Sequence, residues 1–376
     1  MKKNILLKDG INELFPAVMS GNVTMDSQVY SDITIGGLHR GTKIAGMTMS
    51  EVATAMFGKL DTVSFLHFSD THNQTGAINA AIAMADSDPE VDFIIHTGDV
   101  SSASENAMKA ACTKPKLVVW GNHDTYDTYS RSTSDAALAI REIINDGDVN
   151  YGAENASYWY KDVTSTLGHT VRIIGFDEYE DAANTSALYT RKYTQEQMDW
   201  FINLLRSTPS DYFIVLAHHK APENEPSRNE GPFIASNYTG DSTKDLLSDD
   251  RAGMFPEIID KYTKGEAINK TYVVGVTVNT DFSEVTPAKF LCHLCGHRHA
   301  DVCEPLVDYP DQLMLMVSCS DEEVSNGGDV AFTDCDYCFN KVTLCLNIGQ
   351  VVVERIGAKE RKWRDEPHDR AGWKVF

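Results

Sequence analysis

The sequence predicts an α/β domain in which a mixed sheet is covered by helices and ligand chemistry gathers at the C-terminal ends of the strands. Two observations carry this. Apolar runs at 65–72 (FLHFSDTH), 93–100 (FIIHTGDV), 116–124 (KLVVWGNHD), 213–220 (FIVLAHHK) and 290–299 (FLCHLCGHRH) all break off abruptly into polar residues. Buried strands of an α/β sheet deliver side chains to their edge in this way. From Thr62 onward, strand-like runs also alternate with helix-like ones, the pattern of helices laid on a sheet.

In order, a strand runs to Phe68, a helix spans 76–85, a strand runs to His96 and a helix spans 103–111. The central strand then reaches Trp120 and ends in Gly121, Asn122, His123 and Asp124. A helix follows at 134–144, then strands at 157–162 and 170–176. An amphipathic helix at 194–206 has Thr194 as its cap, with Gln197 three residues on. Residues 220–250 are rich in Pro, Glu, Asn, Ser and Gly and lack periodicity, which marks a binding loop or lid. Residues 332–356 alternate as strands about a turn at 347–350 and are expected to complete a second sheet.

The first 60 residues stand outside this pattern. They read as an N-terminal extension, with Thr48 and Glu51 placed to form a capping box ahead of an apolar helix face carrying Val52, Met56 and Phe57. Its segment GTKIAGMT resembles short leaders of phage or prophage structural proteins, and the simpler reading is an arm packed on the core. Residues 61–360 form the main domain and 361–376 a polar tail.

The chain is 42% hydrophobic and 23% charged, so it can bury a sizeable core and is not a disordered protein. A net charge of -22 repels polyanions at long range, which argues against a nucleic-acid partner. MKKNILLKDG holds too short an apolar run for a signal peptide, and no run reaches the length of a membrane span. A reducing, cytoplasmic setting is expected, with association with a phage particle as the alternative. The eight cysteines are then mostly packing residues or free thiols. Cys292/Cys295 and Cys335/Cys338 are two CxxC pairs, but their separation is too long for a zinc ribbon.

The order D-x-H, G-D, G-N-H-D, an apolar run closing in His, then G-H-x-H resembles the calcineurin-like metallophosphoesterase family, over roughly residues 61–300. That resemblance implies a two-sheet metallophosphoesterase sandwich flanked by helices and a binuclear centre of Mn, Fe or Zn. Mixed carboxylate, imidazole and amide ligands suit such ions better than Ca or Mg. Carried over motif by motif, it implies that Asp70, His72 and His299 hold one ion, that Asn122, His218 and His297 hold the other, and that Asp99 bridges them. His123, pointing away from Asn122 by strand alternation, would meet the substrate and assist the leaving group, with Asp124 orienting it. Because family patterns place the ligand first in the His-His pair, His219 is assigned to substrate contact or structure. His67 and His96, inside apolar runs, read as core histidines, and His293 is unassigned.

The activity implied is phosphoester hydrolysis by in-line attack of a metal-activated water. Few basic side chains lie near the motifs, which favours a small phosphodiester. Phosphomonoesters, nucleic acid, or a structural module retaining the fold are the alternatives. The walls expected to decide among substrates are 178–192 and 220–250.

Overall fold

The computed structural model describes residues 60–125, 133–178, 193–222, 253–272, 275–297, 302–306, 308–317, 337–357 and 371–375, together with the backbone at 43–44 and 47–48. The two short strands β1 (Lys43–Ile44) and β2 (Met47–Thr48) pair as an antiparallel hairpin across GTKIAGMT. The helix expected after Thr48 lies outside the described residues.

The first half of the domain runs β3 (Thr62–Phe68), α1 (Thr75–Ser87), β4 (Phe93–His96), α2 (Ser102–Met108), β5 (Lys116–Val118), the single turn α3 (Asn122–Thr125) and α4 (Thr133–Ile144). A meander follows, of β6 (Asn150–Tyr151), β7 (Trp159–Thr164) and β8 (Thr170–Gly175). Then come α5 (Gln195–Ser207), β9 (Phe213–Ala217), α6 (Met254–Lys264) and the hairpin β10 (Ala267–Thr271) with β11 (Thr277–Asp281). The chain closes with β12 (Lys289–Cys295), β13 (Val302–Pro305), β14 (Leu313–Met316), β15 (Cys338–Cys345), β16 (Gln350–Gly357) and β17 (Ala371–Val375).

Two sheets result. The first has the order β17-β16-β15-β3-β4-β5, with β3, β4 and β5 parallel. The second has the order β13-β14-β12-β9-β8-β7-β6, with β8, β9, β12 and β14 parallel. The two-sheet architecture agrees with the expectation, but the pair β15 and β16 does not complete the second sheet. β15 lies antiparallel to β3, Asn340 opposite His67, and so covers an edge of the first sheet that would otherwise present unpaired N–H and C=O groups. Within the expected tail, β17 continues that sheet by pairing with β16.

The main core takes residues from both sheets, among them Phe65, Phe93, Trp159, Ile173, Val215 and Leu294. Trp159 anchors the two sheets to each other, its indole N–H donating to the Val118 carbonyl at 2.8 Å. A second core fills the other face of the second sheet, under α5 and α6. α5 starts as expected, with the Thr194 hydroxyl accepting from the Gln197 N–H at 3.1 Å. Met198, Phe201, Ile202 and Leu205 form its buried stripe. α6 buries Phe255, Ile258, Ile259 and Tyr262 and stops at Gly265, whose φ of 64° suits the left-handed residue that ends a helix.

The strands of the second sheet sort by alternation. Val215 and Ala217 of β9 face the main core, whereas Ile214 and Leu216 face the second. Cys292 lies in the main core and Cys295 in a small separate cluster with Met314 and Met316, so this CxxC pair faces two ways and forms no knuckle. Of the other CxxC pair, Cys338 is buried in β15 and Cys335 lies outside the described residues.

Candidate metal centre

The parallel strands of both sheets end at one place. From the first sheet, β3 delivers Asp70 and His72, β4 delivers Asp99, and β5 delivers Asn122, His123 and Asp124. From the second, β9 delivers His218 and His219, and β12 delivers His297.

The loops that carry these residues are tightly laced. The Asp70 N–H donates to the Gly98 carbonyl at 2.9 Å and the His72 N–H to the Asp99 carbonyl at 3.1 Å. The His297 N–H donates to Asp70 Oδ2 at 2.9 Å, and the His123 N–H to Asp99 Oδ1 at 2.8 Å. Asp70, His72, Asp99 and His297 all adopt left-handed backbone, with φ of 53°, 40°, 58° and 69°. Each such non-glycine residue costs roughly 1 kcal/mol or more, and such strain gathers where side-chain placement outweighs local comfort. Glycines make the close approach possible. A Cβ on Gly121 would stand 2.1 Å from Asp99 Oδ1, one on Gly98 2.3 Å from His219 Nδ1, and one on Gly296 2.6 Å from Asp70 Oδ2.

The structure corrects the reading of the His-His pair. His218 does not reach the cluster. Its ring stacks on Phe176 with nearly parallel planes, 5.0 Å between centroids, and lies against Phe255 at 4.9 Å, with Nε2 3.3 Å from His293 Nδ1. His219 stands in the cluster instead. Its Nε2 is 3.0 Å from Asn122 Oδ1, 3.2 Å from His297 Nδ1 and 3.3 Å from Asp99 Oδ2. The physical reason is parity: His218 shares the face of Ile214 and Leu216, and His219 that of Val215 and Ala217. Because β9 is apolar on both faces, as parallel strands usually are, its sequence does not reveal which face is which.

Asp124 also differs from expectation. Its Oδ2 accepts from the Asp99 N–H at 2.8 Å and the Gly121 N–H at 2.7 Å, and its Oδ1 from the Ser101 N–H at 2.7 Å. It therefore clamps the β4 and β5 loops together and does not hold the His123 ring. Asn122 and His123 sit in the helical turn α3, so successive residues are offset by about 100° and not by strand alternation. His123 remains half-buried, its ring edge-on to His72 at 5.0 Å. His67 and His96 are core residues, the first with Nε2 3.0 Å from Thr97 Oγ1, the second with Nε2 3.2 Å from Thr71 Oγ1. His299 lies outside the described residues.

The electrostatics are those of acceptors drawn together. His219 Nδ1 donates to the Thr97 carbonyl at 2.7 Å, which directs Nε2 toward Asn122, His297 and Asp99. Burial lowers the His219 pKa, but the Asp99 carboxylate overrides it and pushes the ring up to about 9. Burial raises Asp99, yet the imidazoles of His219, His72 and His123 hold it well below the usual carboxylate range. Burial and then the Asp99 charge push Asp124 up to about 7, against the N–H groups of Gly121 and Ser101.

The donor set fits metal. Donor atoms about 2.1 Å from one ion stand roughly 3 to 4 Å apart. The distances around His219 fall in that range, as do those from His72 Nε2 to Asp70 Oδ1 and to Asp99 Oδ2, both 3.9 Å. Asp99, His219 and His297 form one group whose ligand atoms lie within 4.8 Å of one another, and His72, Asp99 and His123 form another. Asp99 is common to both.

Residues 63–252 match the family model for calcineurin-like phosphoesterases. The chain belongs to that family. This phosphoesterase is accordingly a metal-dependent phosphoester hydrolase. Among solved structures it is similar to a dimetal phosphatase from Danio rerio, at 10% identity over 80% of this chain and 99% of that one, with a TM-score of 0.46. It is also similar to an archaeal phosphodiesterase, at 11% identity over 78% and 99%, TM-score 0.32. Phosphopantetheinyl hydrolase from Mycobacterium tuberculosis is similar at 13% identity over 68% and 89%, TM-score 0.38. No curated protein matches the sequence. Among the described residues, no helix is long and apolar enough to cross a membrane.

The sequence assigns two contributors to the site other roles, His219 as substrate contact or structure and Glu178 as the first residue of a substrate wall. His219 was misassigned for the parity reason above. Glu178, buried just beyond β8, accepts from the His219 and Lys220 N–H groups at 3.0 and 2.7 Å. An acidic residue after an apolar strand carries no mark that separates it from a surface carboxylate.

Proposed function

We propose that the phosphoesterase is binuclear and that Asp99 bridges the two ions. Asp70 and His72, with His299 from beyond the described residues, hold the first ion, and Asn122, His219 and His297 hold the second. The observation that carries this reading is the membership of Asp99 in both ligand groups, one on the His72 side and one on the His219 side. Two divalent ions at this place would neutralise the phosphoryl oxygens and make a water nucleophilic near neutral pH.

The chain's own residues do the rest. The lacing of the loops through Asp124, the His297 N–H and the His123 N–H fixes the ligands before substrate arrives, so little reorganisation accompanies reaction. His123, half-buried beside His72, is placed to give a proton to the departing oxygen or to stabilise its charge. Asn122 supplies a neutral ligand, which keeps the centre's net charge positive enough to attract a phosphate.

The substrate is proposed to be a small phosphodiester, with monoesters and nucleic acid as alternatives. The net charge of -22 supports a small substrate, because a polyanion would be repelled before reaching the centre. The test is a hydrolysis panel with added Mn: aryl monoesters, aryl diesters, cyclic nucleotides and single-stranded DNA. Highest kcat/KM on a small diester supports the proposal; preference for DNA or for monoesters refutes it.

A further inference from the structure

Glu178 follows β8, two residues beyond Phe176, and is fully buried. Its Oε2 accepts from the His219 N–H at 3.0 Å and from the Lys220 N–H at 2.7 Å, and its Oε1 accepts from the Tyr193 hydroxyl at 2.7 Å. In an extended strand, successive N–H groups point to opposite sides. Here two successive ones converge on a single oxygen, which requires the chain to turn. The turn has a definite place. The His218 N–H still donates to the Leu294 carbonyl of β12 at 2.9 Å; the next two N–H groups turn away to the carboxylate, while the His219 carbonyl accepts from the Gly296 N–H at 2.9 Å just past β12.

We infer that Glu178 is a positioning residue that turns the chain out of line after His218, just past β9, and fixes the main chain of His219, so that its Nε2 is presented to the second ion. The inference rests on the two-ion reading above. The His219 ring is then held from two sides, by Glu178 through its own N–H and by the Thr97 carbonyl through Nδ1, 2.7 Å away. A buried carboxylate is costly unless its oxygens are hydrogen-bonded, and the three donors here offset that cost. The same carboxylate stands at both ends of the 179–192 segment, through Glu178 itself and through Tyr193, and at the beginning of the segment after Lys220. These are the two stretches expected from the sequence to wall the substrate site.

A glutamine can keep this geometry, since its carbonyl oxygen can accept from both N–H groups and its amide can donate to the Tyr193 oxygen. Alanine cannot. The experiment is calorimetric titration of the full chain, stripped with chelator, with Mn²⁺, on wild type, Glu178→Ala, Glu178→Gln and Tyr193→Phe. Urea unfolding of the same metal-free proteins runs alongside. Wild type should take up two ions. Glu178→Ala should weaken one of them by about 10- to 100-fold, the usual effect of removing a group that holds a ligand, and spare the other. Glu178→Gln should recover most of that loss. Tyr193→Phe keeps the ring packed on Phe255, 5.1 Å away, and should weaken the same ion by a smaller factor, up to about 10-fold. If Glu178→Ala does not fold, the Tyr193→Phe titration decides. Unchanged Mn²⁺ affinities in the folded variants, with only the urea midpoint lowered, would show a merely structural carboxylate and overturn the inference. Wild type that binds fewer than two ions would instead overturn the two-ion reading on which it rests.

Discussion

His218 and His219 are adjacent on one strand end, and replacing each by alanine should give opposite results. His218 is buried against Phe176 and Phe255, its ring within 5° of parallel to the first. Truncating a large core side chain costs about 3 to 5 kcal/mol, and an imidazole, smaller than a phenyl ring, falls at the low end, about 3 kcal/mol. At roughly 2 °C per kcal/mol for a domain of this size, His218→Ala should melt about 6 °C lower than wild type. It should still carry two ions, because no bond from its ring reaches Asp99, Asn122 or His297. His219→Ala removes the atom that stands within 3.3 Å of all three. Its Mn content after reconstitution should drop from about two ions per chain to about one. Hydrolysis of an aryl diester should fall by at least about 10²-fold, as expected when reacting groups lose their placement. Elemental analysis and scanning calorimetry on the two variants read both effects. If His218→Ala loses an ion while His219→Ala keeps two, the parity argument for β9 is wrong.

Gly121→Ala should disturb the centre without touching a ligand, since the new Cβ would lie 2.1 Å from Asp99 Oδ1 and 2.4 Å from the Asp99 nitrogen; two ions at wild-type affinity in that variant would contradict the packing. Asp99→Asn should weaken both ions, read by titration with Mn²⁺, whereas His72→Ala should spare the ion held by His219 and His297. His123→Ala should keep its metals and lose roughly 10²- to 10⁴-fold in rate, less for leaving groups that need no proton, and loss of metal would remove its assigned role. The metal-free protein should lose stability in mild acid. Burial lowers His67 and His96 to about 3, so between pH 6.5 and 3 the unfolded chain binds protons that the folded chain does not, and stability falls as pH falls. From pH 7 to 5 this amounts to roughly 2 kcal/mol for each histidine. It is partly offset by Asp124 and His219, whose raised values let the folded chain hold protons that the unfolded chain lacks over part of the same interval. The urea midpoint of His96→Gln should therefore fall less between pH 7 and 5 than that of wild type, and equal falls would refute the neutral burial of His96.

The sequence by itself determined where the chemistry lies. A buried strand must end before its polar residues begin, so DTH, GD, GNHD, HH and GHRH each mark a strand's C-terminal edge, and their order identifies the family. It also determined the helix starting after Thr194, because a cap and its N–H partner are three residues apart and need no tertiary information. What lies further apart in the chain was decided only by the fold. Which of His218 and His219 faces the ligands depends on which side of β9 meets the first sheet, and a strand apolar on both faces does not say. Asp124 looks like a partner for its neighbour His123, yet it serves Asp99 and Ser101, some 25 and 23 residues away in the chain, because α3 turns its carboxylate toward the β4 loop. Glu178 meets His219 across 41 residues because β8 and β9 are parallel neighbours in one sheet, and Asp70 meets His297 across 227 because the two sheets bring their strands to a common edge. Local pattern fixes a residue's place along its own strand, and the side-chain environment there is set by whatever the packing of the other sheet puts opposite it.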